Sequence, residues 1–212
     1  MTTTTDWNGE DFIRENLKPR ALSFAPHIRI WTAHQMSRLS RLEELAETDT
    51  PPYWAYAWPG GAALVQHLIC EPALVQGRSV IDYGAGSGIV GVAASMAGAA
   101  SVICIDSDPL ALTACRLNGD LNDVNLAVAS HVGDRTADVV LAGDVFYGEQ
   151  EAHLATNLLE AHTARGTLVL VGDIGRHWLP HDRLTRLADY SVQDVGDAPA
   201  GSALRGHVYR FG

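Results

Sequence analysis

The sequence predicts an α/β fold: a doubly wound, Rossmann-like parallel sheet that carries an N-terminal arm. Three observations predict it. Short apolar runs alternate with helix-spaced segments from Ala62 to Asp189. Two of those runs, Asp138–Ala142 (DVVLA) and Thr167–Gly172 (TLVLVG), are apolar throughout after their first residue, as strands buried on both faces are. A glycine-rich turn, Gly84-x-Gly86-x-Gly88, joins one such strand to a helix. Alternation of this kind places parallel strands beside crossover helices.

The elements follow in order. Residues 1–50 are polar and form the arm, with helix-like spacing at Asp11–Leu17, alternation at His27–Ala33 and a charged helix-like stretch at Met36–Glu47. PPYWAYAWPGG, residues 51–61, then holds four of the chain's fifteen aromatic residues between prolines. Those four, Tyr53, Trp54, Tyr56 and Trp58, either plug the base of a fold or wall a pocket. Helical spacing resumes at Ala62–Ile69, followed by a strand at Ser79–Asp82 and a small-residue helix at Ile89–Ala97 closed by Gly98. Ser101–Ile105 is the next strand, and Asp108-Pro109 supplies the cap and first turn of a helix to Leu121. Glu149–Ala164 reads as the helix between DVVLA and TLVLVG, and Arg183–Asp189 as another. YSVQDV and LRGHVYRF are two closing strands with no helix between them, so an antiparallel edge is expected. Residues 51–212 thus make one domain behind the arm.

Composition removes several function classes. The net charge is −10, which disfavours a nucleic-acid backbone as partner. No apolar run approaches the roughly 20 residues of a membrane span, and MTTTTDWNGEDF has neither a signal core nor a transit-peptide character. Three cysteines without a CxxC pair fit a reducing cytoplasm. Lys18 is the sole lysine, which excludes a P-loop lysine and any Schiff-base lysine outside the arm. His177-x-x-x-His181 has metal-ligand spacing, but Pro180 interrupts it and no third ligand follows, so no metal is expected. Ser87 is not the central residue of Gly84–Gly88, so the turn is not a nucleophile elbow.

The glycine turn indicates the cofactor. A dinucleotide fingerprint needs its third glycine five positions after the first, where this chain has Ile89. Asp82, two residues before Gly84, would repel a pyrophosphate and attract an ammonium or sulfonium. S-adenosylmethionine carries both cations and no phosphate. Asp106, eighteen residues after Gly88, ends the next strand where a carboxylate can accept two ribose hydroxyls. The pattern resembles the seven-strand, class I S-adenosylmethionine-dependent methyltransferases. That resemblance implies a sheet of six parallel strands and one antiparallel strand, with Asp82, Gly84, Gly86, Gly88 and Asp106 at the cofactor.

Asp144 follows the DVVLA strand, with Tyr147 three residues on. Its side chain either caps the helix that starts at Glu149 or faces the cofactor edge of the sheet. PPYWAYAWPGG, GAGSGIVGVAA, LAGDVFYGE and GDIGRHWLP occur in this order and are together similar to the family that methylates lysines of the electron-transfer-flavoprotein β subunit. The resemblance implies that Asp144 and Tyr147 shape the acceptor amine site. By the same resemblance Gly143 and Trp58 lie against the cofactor, and Tyr53, Trp54 and Tyr56 line the acceptor channel. Asp173 and Arg176, at the same sheet edge, either contact a protein substrate or form an ordinary salt bridge. Residues 133–137 form a shorter connector than relatives carry, with Asp134 as a candidate partner for the adenine. The expectation is a monomeric protein-lysine methyltransferase whose substrate is the flavoprotein subunit, or a bacterial ribosomal protein. A small-molecule, nicotinamide-like N-methyltransferase and a non-catalytic binding module are the alternatives.

Overall fold

The computed structural model describes residues 8–42, 51–193 and 203–212. Seven strands form the central sheet: β3 (Ser79–Tyr83), β4 (Ser101–Ile105), β5 (Ala127–Ala129), β6 (Val139–Gly143), β7 (Leu168–Asp173), β8 (Leu184–Gln193) and β9 (Ala203–Phe211). Their order is β5-β4-β3-β6-β7-β9-β8. The first five in that order are mutually parallel, and β9 runs antiparallel to both β7 and β8. Six strands therefore share one direction and one opposes them, as expected. The chain order reverses between β3 and β6, and such a switch point leaves a crevice outside the carboxyl ends of the strands.

Helices α2 (Pro59–Cys70), α3 (Ile89–Met96), α4 (Pro109–Leu121) and α5 (Glu149–Thr163) flank the sheet. Alternate residues of one strand serve opposite faces. Val139 and Leu141 of β6 pack with Leu64 of α2 and Val92 of α3, whereas Val140 and Ala142 pack with Leu159 of α5. α4 begins as its sequence indicates, with Asp108 Oδ1 accepting the N–H of Leu110 at 2.8 Å and Pro109 in the first turn. No helix among the described residues is long and apolar enough to cross a membrane.

The arm consists of α1 (Gly9–Asn16) and a hairpin of β1 (Lys18–Leu22) and β2 (Ala25–Thr32). Phe12, Ile13 and Leu17 pack with Trp54 against Leu110, Ala114 and Leu117 of α4. Two asparagines of that region pin β2. Asn122 accepts the Arg29 N–H at 2.8 Å and donates back to the Arg29 carbonyl at 2.6 Å. Asn118 accepts the Trp31 N–H and donates to the Ser87 carbonyl, both at 2.7 Å. Arm, helix and glycine turn are thus one connected unit.

Three elements differ from the sequence reading. β1 was not expected, because KPRAL carries a proline and little apolar character; it sits at the edge of a two-stranded ribbon, where proline is tolerated. Arg183–Asp189 is not a helix. It is a single turn ending at Arg183 followed by β8, whose pairing with β9 shifts register between Arg186 and Ala188. That bulge breaks the two-residue period, so Leu184, Leu187 and Ala188 fall at helical spacing within a strand. In the Met36–Glu47 stretch, Leu39–Arg41 is one short 3-10 turn, and residues 43–47 lie outside those described.

Candidate active site

A cleft of about 480 Å³ opens at the carboxyl ends of β3, β4 and β6, within the size range of small-molecule sites. The glycine turn forms its floor. Gly84 and Gly86 both lie in the left-handed region, at φ 66° and 52°, which glycine adopts without a steric cost. A Cβ on Gly84 would lie 2.7 Å from Val145, so that glycine is needed for packing. A Cβ on Gly86 would meet nothing closer than the Trp54 Cα at 3.9 Å, so this glycine faces the open cleft. Gly88 does not line the cleft. It is the N-cap of α3 at φ 74°, and a Cβ there would lie 2.9 Å from the Cys115 sulfur.

Asp106 stands on the cleft wall. Its Oδ2 accepts the Gly86 N–H at 2.8 Å and its Oδ1 the Asp108 N–H at 3.0 Å, leaving a lone pair on each oxygen for a ligand. Burial lifts its pKa above the ordinary carboxylate value, with those two N–H groups acting against the shift. Asp82 corrects the sequence reading. Side chains alternate along β3, and Tyr83 takes the cleft side, so Asp82 points to the α3 face. It is 1% exposed and accepts the Gly91 N–H at 2.8 Å, with its pKa pushed up to about 7 chiefly by burial. It braces the start of α3 and does not line the cleft.

The far wall was missed in the sequence. Ser130, His131 and Val132 line it, with Leu154 and Leu158 of α5, while Asp134 does not. The signal was available: Ser130 directly follows β5, at the same strand edge as Asp106 and Asp144.

Asp144 closes the opposite end. It is one of two non-glycine residues at positive φ among the described residues, 59°, and its Oδ2 accepts the Gly61 N–H at 2.7 Å. That places the carboxylate at the N-terminus of α2, where the helix dipole favours an anion. It does not cap α5, whose N-cap is Gly148. The approach depends on backbone-to-backbone packing: a Cβ on Gly60 would lie 2.3 Å from the Gly172 carbonyl oxygen and 2.8 Å from the Asp144 carboxyl carbon. Gly143, paired with Gly172 across β6 and β7, would meet Gly61 at 2.9 Å if it carried a Cβ. The two Gly-Asp pairs that end β6 and β7 are the sequence trace of this contact.

Asp144 Oδ1 lies 2.5 Å from Arg176 Nη1, a largely buried salt bridge. Burial raises the Asp144 pKa, opposed by Arg176 and the Gly61 and Gly60 N–H groups. Arg176 lines the cleft; Asp173 is wholly buried and cannot reach a protein substrate. Asp173 instead accepts the N–H groups of Gly175 and Arg176 at 2.7 and 2.8 Å and binds the guanidinium at 3.0 Å. The salt-bridge reading of this pair is what the structure contains.

The aromatic segment does both things open to it. Trp54, 1% exposed, plugs the space between the arm and α4, with one edge at the cleft. Tyr53 and Trp58 wall the cleft, and the Trp58 indole donates to the Tyr53 carbonyl at 2.8 Å. Tyr53 meets Trp58 edge-on at 5.6 Å and Tyr147 at 5.5 Å between ring centroids, forming a three-ring rim beside Asp144. Tyr56 stands behind Trp58, outside the lining. Burial, then the Glu151 charge, push the Tyr147 hydroxyl up to about 12, so it stays protonated.

Fold and cleft define the class: a class I, seven-stranded methyltransferase. A family model described as ribosomal protein L11 methyltransferase (PrmA) matches residues 67–177. The electron transfer flavoprotein beta subunit lysine methyltransferase of Danio rerio is 39% identical over 183 residues, covering 81% of this chain and 67% of the relative. The Rattus norvegicus protein of that name is 39% identical over 154 residues, covering 68% of this chain; the match spans only 60% of the relative's length. A Pyrococcus furiosus methyltransferase structure shares the fold, with a TM-score of 0.50 at 15% identity over 69% of this chain and 82% of its own. The chain belongs to the electron transfer flavoprotein beta subunit lysine methyltransferase family.

Proposed function

We propose that this chain, through its residues 51–212, is an S-adenosylmethionine-dependent protein-lysine N-methyltransferase, working in the cytoplasm as a monomer on the electron transfer flavoprotein β subunit. The observation that carries the reading is one cleft holding Asp106 at one end and Asp144 under an aromatic rim at the other. The donor fits what lines it: Gly86 leaves the floor open, Asp106 accepts the ribose hydroxyls, and Ser130–Val132 with Leu154 and Leu158 enclose the base. Gly84, Gly143 and Trp58 border the donor's reactive end, while Asp82 and Gly88 support the turn from behind. When bound, the donor supplies an electrophilic methyl group.

The residues of the chain prepare the acceptor. A lysine with a pKa near 10.4 is neutral in only about one molecule in 10³ at neutral pH, a deficit of roughly 4 kcal/mol. Tyr53, Trp58 and Tyr147 hold the arriving cation over their ring faces and strip water from it, which favours the neutral amine. Asp144 docks and orients the nitrogen, and alignment supplies most of the acceleration.

Incubation with methyl-labelled S-adenosylmethionine tests the reading, with the flavoprotein β subunit, ribosomal protein L11 and nicotinamide as parallel acceptors. Label on a lysine of the β subunit is expected. Label confined to L11 or nicotinamide reassigns the substrate, and no label on any acceptor refutes the activity.

A further inference from the structure

Arg176 is held asymmetrically. Its Nη1 lies between Asp144 Oδ1 at 2.5 Å and Asp173 Oδ2 at 3.0 Å, forming a salt bridge to each. Asp173 also takes the Arg176 backbone N–H, so it anchors the residue at both ends. Arg176 thus places its positive charge directly on Asp144. Asp144 is asymmetric too: Oδ2 is engaged by the Gly61 N–H, while Oδ1 is buried under the Arg176 guanidinium, so an amine reaches it only by displacing that group.

We propose that Arg176 is a charge-balancing positioning residue, neutralising Asp144 so that an amine docking on Oδ1 does so without its proton. The proposal rests on the acceptor reading above and deepens it. An unbalanced carboxylate would hold a lysine as the ammonium, whose nitrogen has no lone pair to attack with. With the guanidinium kept close to Asp144 by its bond to Asp173, the ammonium N–H bond breaks, the proton passes to water at the open rim, and the bonding electrons stay on nitrogen. Nothing is oxidised or reduced. Because Asp173 keeps its hold on Arg176, an arriving amine can displace the guanidinium from Oδ1 without orphaning it. The other charged or titratable groups facing this end are Tyr83 at the end of β3, Tyr147 after β6, Glu151 from α5, Tyr53 from the aromatic segment, and Asp106 and Asp108 after β4; His131 stands on the far wall. Among these described groups Arg176 is the permanent cation.

The test compares wild type, Arg176→Gln and Arg176→Lys in two measurements. The first is NMR titration with butylammonium and with the neutral isostere 1-butanol, which needs no turnover. Arg176→Gln is expected to gain about tenfold in affinity for butylammonium relative to butanol, one unit of charge-state preference. Arg176→Lys should keep the wild-type ratio. The second is the pH profile of kcat on the β subunit, where Arg176→Gln should move the acid limb up by about one unit and lower KM while kcat falls. A merely structural arginine would change both probes alike and raise KM, and either result overturns the proposal. A selective butylammonium gain with no β-subunit methylation by wild type supports the charge balance and removes only the acceptor assignment. If Arg176→Gln fails to melt cooperatively, Arg176→Lys decides: a butylammonium-to-butanol ratio departing from wild type overturns the proposal, and an unchanged ratio supports it.

Discussion

Replacing Asp82 by asparagine separates two roles for the acid that precedes the glycine turn. The carboxyl is fully buried, accepts a single backbone N–H from Gly91 at 2.8 Å, and titrates near 7 instead of 3.8. A shift of roughly three units corresponds to about 4 kcal/mol at 1.36 kcal/mol per unit. The sign follows from proton binding. Between pH 4 and 7 the folded protein holds this proton and the unfolded chain has released it, so stability contributed by this group falls as pH rises through that window. Above pH 7 the full penalty is present. Asparagine carries no charge and its amide oxygen can keep the Gly91 bond. Urea unfolding of both proteins from pH 4.5 to 8 should show wild type losing about 3–4 kcal/mol relative to the variant across that range. Carboxylates other than Asp106, whose charge contributes to the Asp82 shift, affect both proteins alike and cancel. Parallel stability curves would refute a buried, proton-binding Asp82. Calorimetry with S-adenosylhomocysteine should give affinities within a few-fold of each other, because the side chain faces α3; a loss of a hundredfold would place it back at the ligand.

Other substitutions probe the cleft itself. Asp144→Ala should lower methylation ~100-fold or more, the cost of losing acceptor orientation, while leaving donor affinity within a few-fold; equal loss of both refutes that division. Gly86→Ala places a methyl group in open cleft at φ 52°, so it should cost only the ~1–2 kcal/mol of left-handed strain but weaken S-adenosylhomocysteine binding at least tenfold in calorimetry. Gly88→Ala, directed at Cys115 instead, should lose more stability in a thermal melt than Gly86→Ala. Trp54→Ala should destabilise by ~3–5 kcal/mol in urea as a core cavity, whereas Trp58→Ala, half-buried at the rim, should spare stability and raise KM.

What could be read from residues was whatever local pattern encodes. Continuous apolar runs announced strands with helices on both faces, and Asp108-Pro109 marked a helix start that the structure reproduces. Asp106, Asp144, Tyr147 and the aromatic rim were found because chain order puts them at one edge of a parallel sheet, and that edge is where such folds bind ligands. Which way a side chain points at that edge was not legible. Asp82 and Tyr83 are adjacent in sequence and face opposite sides of the sheet. Tyr56 is three residues from Tyr53, yet only Tyr53 lines the cleft. The β8 bulge disguised a strand as a helix, because one inserted residue changes the apparent period.

The sequence alone therefore determined the fold class, the family and the stretches of chain that form the floor and the acceptor end, since these follow from hydrophobic period, glycine placement and strand order, but not the far wall at Ser130–Val132. The tertiary structure decided the charges at the acceptor end. Asp173, Arg176, Asp144 and Gly61 come from three separate segments, and their coupling arises only when Gly60, Gly61, Gly143 and Gly172 let those backbones touch. Electrostatic energy depends on distance through space, and spacing along the chain does not report it.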